Sequence, residues 1–162
     1  MWLNLKDKQV MRAGFSQLVI CCSLVFLTGC SSFGTYNPAT GRNEFIAIST
    51  ESEIQMGRDV HSGIIAENFV STEGRDFSRV SRIGNLVAGV SDRQDYEYKF
   101  YIIEKDEVNA FTTPGGNIYL YTGLLDKLET DDQIAAVIAH EIGHCAARHV
   151  VKKFQGALAY NL

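Results

Sequence analysis

Thiols are scarce, and their placement rules out a disulfide framework. Of four cysteines in 162 residues, Cys21 and Cys22 are adjacent in an apolar leader, Cys30 follows its end, and Cys145 is alone in the remainder. Surplus positive charge is missing as well. From Cys30 onward 12 basic residues face 18 acidic ones, a net of −6, which argues against a nucleic-acid partner. There is no internal repeat or low-complexity tract, and the longest apolar run, residues 13–27, is broken by Ser16, Gln17 and Ser23 and is short for a membrane span. A last absence bears on chemistry: no aspartate or glutamate follows Glu141. What is left, 46% apolar and 21% charged, is enough for one globular domain with a core.

Residues 130–149, TDDQIAAVIAHEIGHCAARH, carry the strongest signal. Thr130 followed three residues on by Gln133 fits a capping box, Asp131 and Asp132 lie where a helix dipole favours anions, and Arg148 comes near the far end. Ile134, Ile138 and Ile142 recur every four residues with Ala135, Val137 and Ala139 around them, so the reading is a buried helix, apolar nearly all round. Four residues separate His140 from His144. On a helix that is about 40° around the axis and one turn along it, so both imidazoles face the same way and can share one ion. Glu141 is rotated by about 100° from His140, within reach of a water on that ion but badly placed as a third ligand. This is the His-Glu-x-x-His arrangement of zinc peptidases. Cys145, turned by about 100° from His144, reads as a small buried hydrophobe.

The leader has a basic start in Lys6, Lys8 and Arg12, then the apolar run, then Leu27-Thr28-Gly29-Cys30. That last tetrapeptide resembles the bacterial lipobox, in which the cysteine is lipid-modified and becomes the mature N-terminus. Met11-Arg12 and the apolar run alone would already make a complete leader, so Met11 is the expected start. Ser31 is similar to the residue found in lipoproteins sorted to the outer membrane. The expected organisation is a lipoprotein signal peptide over 1–29, a tether and turn region over 30–48, and the N-terminal part of a metallopeptidase domain over 49–162. An uncleaved anchor is the alternative for the leader; both tether the domain to a membrane from the extracytoplasmic side.

Within the tether, residues 36–45 contain Asn37-Pro38 and Thr40-Gly41 turn signals and should be exposed. Thr50 with Glu53 forms a second capping-box pattern, opening a helix that ends near Asn68. His61 on that helix, with no partner at ligand spacing, reads as a surface or core-edge histidine. A third helical pattern covers 76–90, where Gly84 and Gly89 permit close packing. Residues 96–103, 108–112 and 118–122 read as strands, the last two paired across Thr113-Pro114-Gly115-Gly116-Asn117 in a type II turn. A short helix around Leu124, Leu125 and Leu128 leads into Thr130. The fold class is therefore α+β, with a small sheet or hairpin beside the His-Glu-x-x-His helix.

Taken together, residues 109–125, NAFTTPGGNIYLYTGLL, and residues 135–149 resemble the HtpX and CAAX prenyl endopeptidase family of gluzincin metallopeptidases, particularly its envelope lipoprotein branch. The NPATGR turn and the leader are similar to that branch too. The resemblance implies a mainly helical, zincin-like domain acting on polypeptide substrates with one Zn2+ per chain. It implies that His140 and His144 bind zinc, that Glu141 is the catalytic base, and that the strand at Asn109, Ala110 and Phe111 lies along the cleft to pair with extended substrate.

A catalytic zinc takes three protein ligands and leaves one position open. The sequence supplies two. On an unbroken helix His149 is about 180° around from His140 and points away, and the metzincin spacing fails at Ala147 and Val150. In the resembled family the third ligand is a downstream glutamate, so the expectation is a chain truncated before it; Glu67 could serve only in a different topology. Two other classes remain open: a non-enzymatic envelope holdase using the strand edge, and a closed structural metal site.

Overall fold

Alternation along two strands decides how the layers form. Phe100, Ile102, Ile118 and Leu120 point to one side of a sheet and join Val80, Ile83, Ile134, Ile138, Ile142 and Cys145 in the larger core. Ile103, Tyr119 and Tyr121 point to the other side, with Ile64, Val70, Tyr101 and Phe111 against them. Such a two-sided sheet needs cover on both faces, and helices provide it.

The computed structural model describes residues 34–160. The signal peptide and lipidated Cys30 expected from the sequence lie outside the described residues. In chain order the elements are β1 (Thr35–Asn37), β2 (Arg42–Glu44), α1 (Thr50–Glu67), β3 (Val70–Ser71), α2 (Gly74–Ala88), β4 (Lys99–Ile103), β5 (Ala110–Thr113), a 3-10 turn (Pro114–Gly116), β6 (Asn117–Tyr121), α3 (Thr122–Leu125), α4 (Asp131–Ala146) and α5 (His149–Tyr160). The architecture is α+β, predominantly helical with a small mixed sheet. Among the described residues no helix is long and apolar enough to cross a membrane.

The sheet order is β3-β4-β6-β5. β5 and β6 form the expected antiparallel hairpin, with Ala110 opposite Leu120 and Thr113 opposite Asn117. Gly115 between them has φ 73° and ψ 18°, the left-handed conformation that a type II turn gives to a glycine after proline. β4 runs parallel to β6, with Phe100 opposite Ile118, a pairing that alternation cannot reveal. As a result β5 is an edge strand. On the α4 side, Gly84 of α2 sits against the ring of Phe100, where an added Cβ would collide with Cζ. Full burial of side chains such as Ile134 and Ile138 is worth about 1.5–3 kcal/mol each, which fixes α4 to the sheet.

Several local expectations are revised. Ser49, not Thr50, is the N-cap of α1, its side chain accepting from the Ser52 amide. Glu53 therefore caps nothing and is instead buried, at 2% exposure, between two arginines. Residues 35–44 form the β1–β2 hairpin, and Asn37 is buried rather than exposed, donating to Glu44 and to the Ala146 carbonyl. α4 is buried along Ile134, Ile138, Glu141, Ile142 and Cys145, but Ala136, Ala139, His140 and Gly143 are exposed. Alanine and glycine count as apolar in a pattern yet offer little area to bury, so they leave an open face. Finally, the helix does not run on to His149. It ends at Ala146 with Ala147 as its C-cap, Arg148 takes φ 54°, and α5 begins at His149.

Candidate active site

α4 opens with the capping box read from the sequence: the Thr130 hydroxyl accepts from the Gln133 amide at 3.3 Å and the Gln133 side chain accepts from the Thr130 amide at 3.1 Å. Asp131 in the first turn pairs with Arg79 and Arg82 of α2. With its start fixed and its isoleucines in the core, the helix has one rotation available. That rotation turns His140 and His144 outward together, their ring centroids 4.6 Å apart. Glu141, one residue round, is only 7% exposed.

The three side chains border one cleft of about 400 Å³, whose other walls are Ala110, Phe111 and Thr112 of β5 and His149, Val150 and Lys153. Phe111 is stacked on Tyr119 at 4.8 Å, and the Thr112 hydroxyl is 2.7 Å from the Cys145 sulfur. Asn109, expected beside Ala110 and Phe111, is not among the lining residues; its carbonyl accepts from the Tyr121 amide at 3.0 Å. Thr112 was available from the sequence, since it shares a face with Ala110 on a strand. His149, Val150 and Lys153 were not, because their approach depends on the bend after α4.

That bend brings the His149 ring back to His144, with Nδ1 2.7 Å from Nδ1. Burial, His144 and the neighbouring lysines lower the His149 value below its ordinary 6.5. Burial raises the Glu141 carboxyl above its ordinary 4.5, with His144 and His140 pulling the other way. A carboxyl so placed is nearer to the pH at which it can both take and give a proton. The Cys145 thiol, buried and beside Thr112, is pushed up to about 11 and stays protonated, as expected of a packing residue. His61 lies on the opposite sheet face, its Nδ1 2.8 Å from the Tyr119 hydroxyl.

Paired imidazoles on a helix, a buried carboxyl between them and a strand edge across the cleft are the layout of a metallopeptidase. The chain belongs to peptidase family M48, a family of zinc metallopeptidases, whose model matches residues 75–162. It is similar to mitochondrial metalloendopeptidase OMA1 of Schizosaccharomyces pombe, 30% identical over 121 residues covering 73% of this chain and 36% of that protein. It is also similar to metalloprotease LoiP of Escherichia coli, 41% identical over 83 residues, 51% of this chain and 32% of that one. To the beta-barrel assembly-enhancing protease of the same organism it is 38% identical over 76 residues, 47% and 16% of the two chains. The chain thus spans about a third of the length of the first two relatives.

The donors fit zinc in part. Two imidazoles on one helix face suit it in chemistry and spacing, while among the described residues no group of three histidines, cysteines or carboxylates is gathered to hold a metal.

Proposed function

We propose that this chain carries the catalytic face of a zinc-dependent metalloendopeptidase of the bacterial cell envelope. The reading extends to the lipoprotein branch of the family. Residues 1–29 act as the signal peptide, and lipid on Cys30 anchors the protein on the periplasmic side of the outer membrane. Its substrates are misfolded envelope polypeptides. One observation carries the enzymatic part: His140 and His144 lie 4.6 Å apart with Glu141 in a single cleft, opposite an edge strand.

His140 and His144 are the residues that would hold one zinc ion. When bound, zinc supplies a Lewis acid that makes water nucleophilic near neutral pH and balances charge on the carbonyl oxygen. Glu141 takes the proton from the attacking water and returns it to the leaving amine, the task for which burial tunes its carboxyl. β5 offers unpaired backbone groups to an extended peptide, so main-chain hydrogen bonds would hold the substrate along the cleft while side chains remain free to vary. Val150 and Lys153 on α5 face that peptide from the other wall.

Casein turnover and zinc uptake by the full chain test this together. Glu141→Gln should keep zinc and lower cleavage by about 10²–10⁴-fold, the usual share of a general acid-base group. His140→Ala should lose zinc, and a chelator should stop the wild type. Cleavage indifferent to the chelator, or unchanged in Glu141→Gln, would remove the assignment.

A further inference from the structure

The bend after α4 is made without glycine or proline. Arg148 holds φ 54°, a left-handed conformation disfavoured for a residue with a Cβ. Its side chain is tied down from another part of the chain: Nε and Nη2 donate to Glu53 Oε2 at 3.0 and 2.8 Å, and Nη2 also donates to the Ile48 carbonyl at 3.0 Å. Arg93 Nη1 donates to the other Glu53 oxygen at 3.0 Å and to the Cys145 carbonyl, in the last turn of α4. These charges pair with one another and with backbone carbonyls, and Arg93 also pairs with Asp95 at 2.7 Å; none of the three side chains lines the cleft that His140, Glu141 and His144 border. The effect of the clasp is to set the first residue of α5.

That residue is His149. Two imidazole nitrogens 2.7 Å apart must share one hydrogen, so one ring donates and the other accepts. If His144 donates through Nδ1, its lone pair is on Nε2, the nitrogen left free. Histidines that ligate metals are usually fixed in this way by a partner at the other ring nitrogen.

We propose that His149 is a positioning residue for His144. It accepts the His144 Nδ1 hydrogen, fixes the tautomer and ring plane that present Nε2 for zinc, and is itself placed by the Glu53–Arg148 clasp. The proposal rests on the reading of His144 as a zinc ligand, but the tautomer can be measured without metal.

The test is a long-range proton–nitrogen-15 correlation spectrum of the imidazoles in the metal-free full chain, followed by zinc titration, for the wild type, His149→Phe and His149→Asn. The wild type should show His144 protonated at Nδ1. His149→Phe should lose that single tautomer and weaken zinc binding by about 10–100-fold, the usual loss for such a partner. His149→Asn, which restores an acceptor oxygen, should recover most of both. A His144 proton on Nε2 in the wild type overturns the proposal even if the variants fail to fold, and so does unchanged zinc affinity in His149→Phe. A zinc shell containing three imidazoles overturns it in favour of direct ligation by His149. A wild type that takes up no zinc defeats the peptidase reading instead, while the metal-free spectrum still decides the role of His149.

Discussion

The two ends of α4 are secured by different means. At its start the cap is made by residues three apart, Thr130 and Gln133, at exposed positions, and the pairs that Asp131 makes with Arg79 and Arg82 are solvent-exposed and weak. At its end the contacts come from far away in sequence: Arg148 reaches Glu53, 95 residues back, and the Ala146 carbonyl accepts from Asn37, 109 residues back. Lys152 in the first turn of α5 reaches Glu44 at 2.6 Å. The local end sets where the helix begins, and so which residues face the cleft. The long-range end sets what comes back to meet them.

The difference has measurable consequences. Glu53→Gln should be the most damaging change, because it leaves two guanidinium groups in a site where the carboxylate is 2% exposed. Breaking a buried charge network from one side costs about 3–5 kcal/mol, read as a lower urea midpoint of the full chain. A loss below about 1 kcal/mol would mean that the far end is not held as described. Thr130→Ala removes only a side-chain cap and should cost about 1 kcal/mol in the same measurement. Should it prove the worse of the two, the contrast between the ends is reversed.

The smallest effect concerns acid. The hydrogen bond from Lys152, opposed by burial and aided by Asn37 and Thr40, keeps the Glu44 carboxyl below its ordinary 4.5. A carboxyl depressed on folding contributes stability fully present above 4.5 and lost as pH falls through its lower folded value. Glu44→Gln should therefore lower stability slightly at neutrality and match the wild type in acid, where that contribution is already lost, so its acid limb is flatter. An acid limb identical to the wild type would show that the hairpin carries no such load.

The same contrast explains what could be read from the chain. His140, Glu141 and His144 share their neighbourhood by helical spacing alone, and the capping box and the Pro-Gly turn are likewise written within a few residues. The α+β class comes from the order of those patterns. What escaped was set by distance. Arg148 in a left-handed bend has no local signal, since the usual marker would be glycine. Its partner Glu53 looked like a capping residue because Ser49 and Thr50 are both competent caps and only the fold chooses between them. With the bend hidden, helical spacing turns His149 away from His140. The parallel pairing of β4 with β6 was hidden for a similar reason: alternation reports which face a residue takes, not which strand lies beside it.

X-ray absorption at the zinc edge of the loaded full chain, compared with His140→Ala and His144→Ala, tests most directly whether these two imidazoles hold the metal. Two imidazole nitrogens at about 2.0–2.1 Å, one lost in each variant, is the predicted result. A zinc shell free of histidine, or one that neither substitution alters, would contradict it.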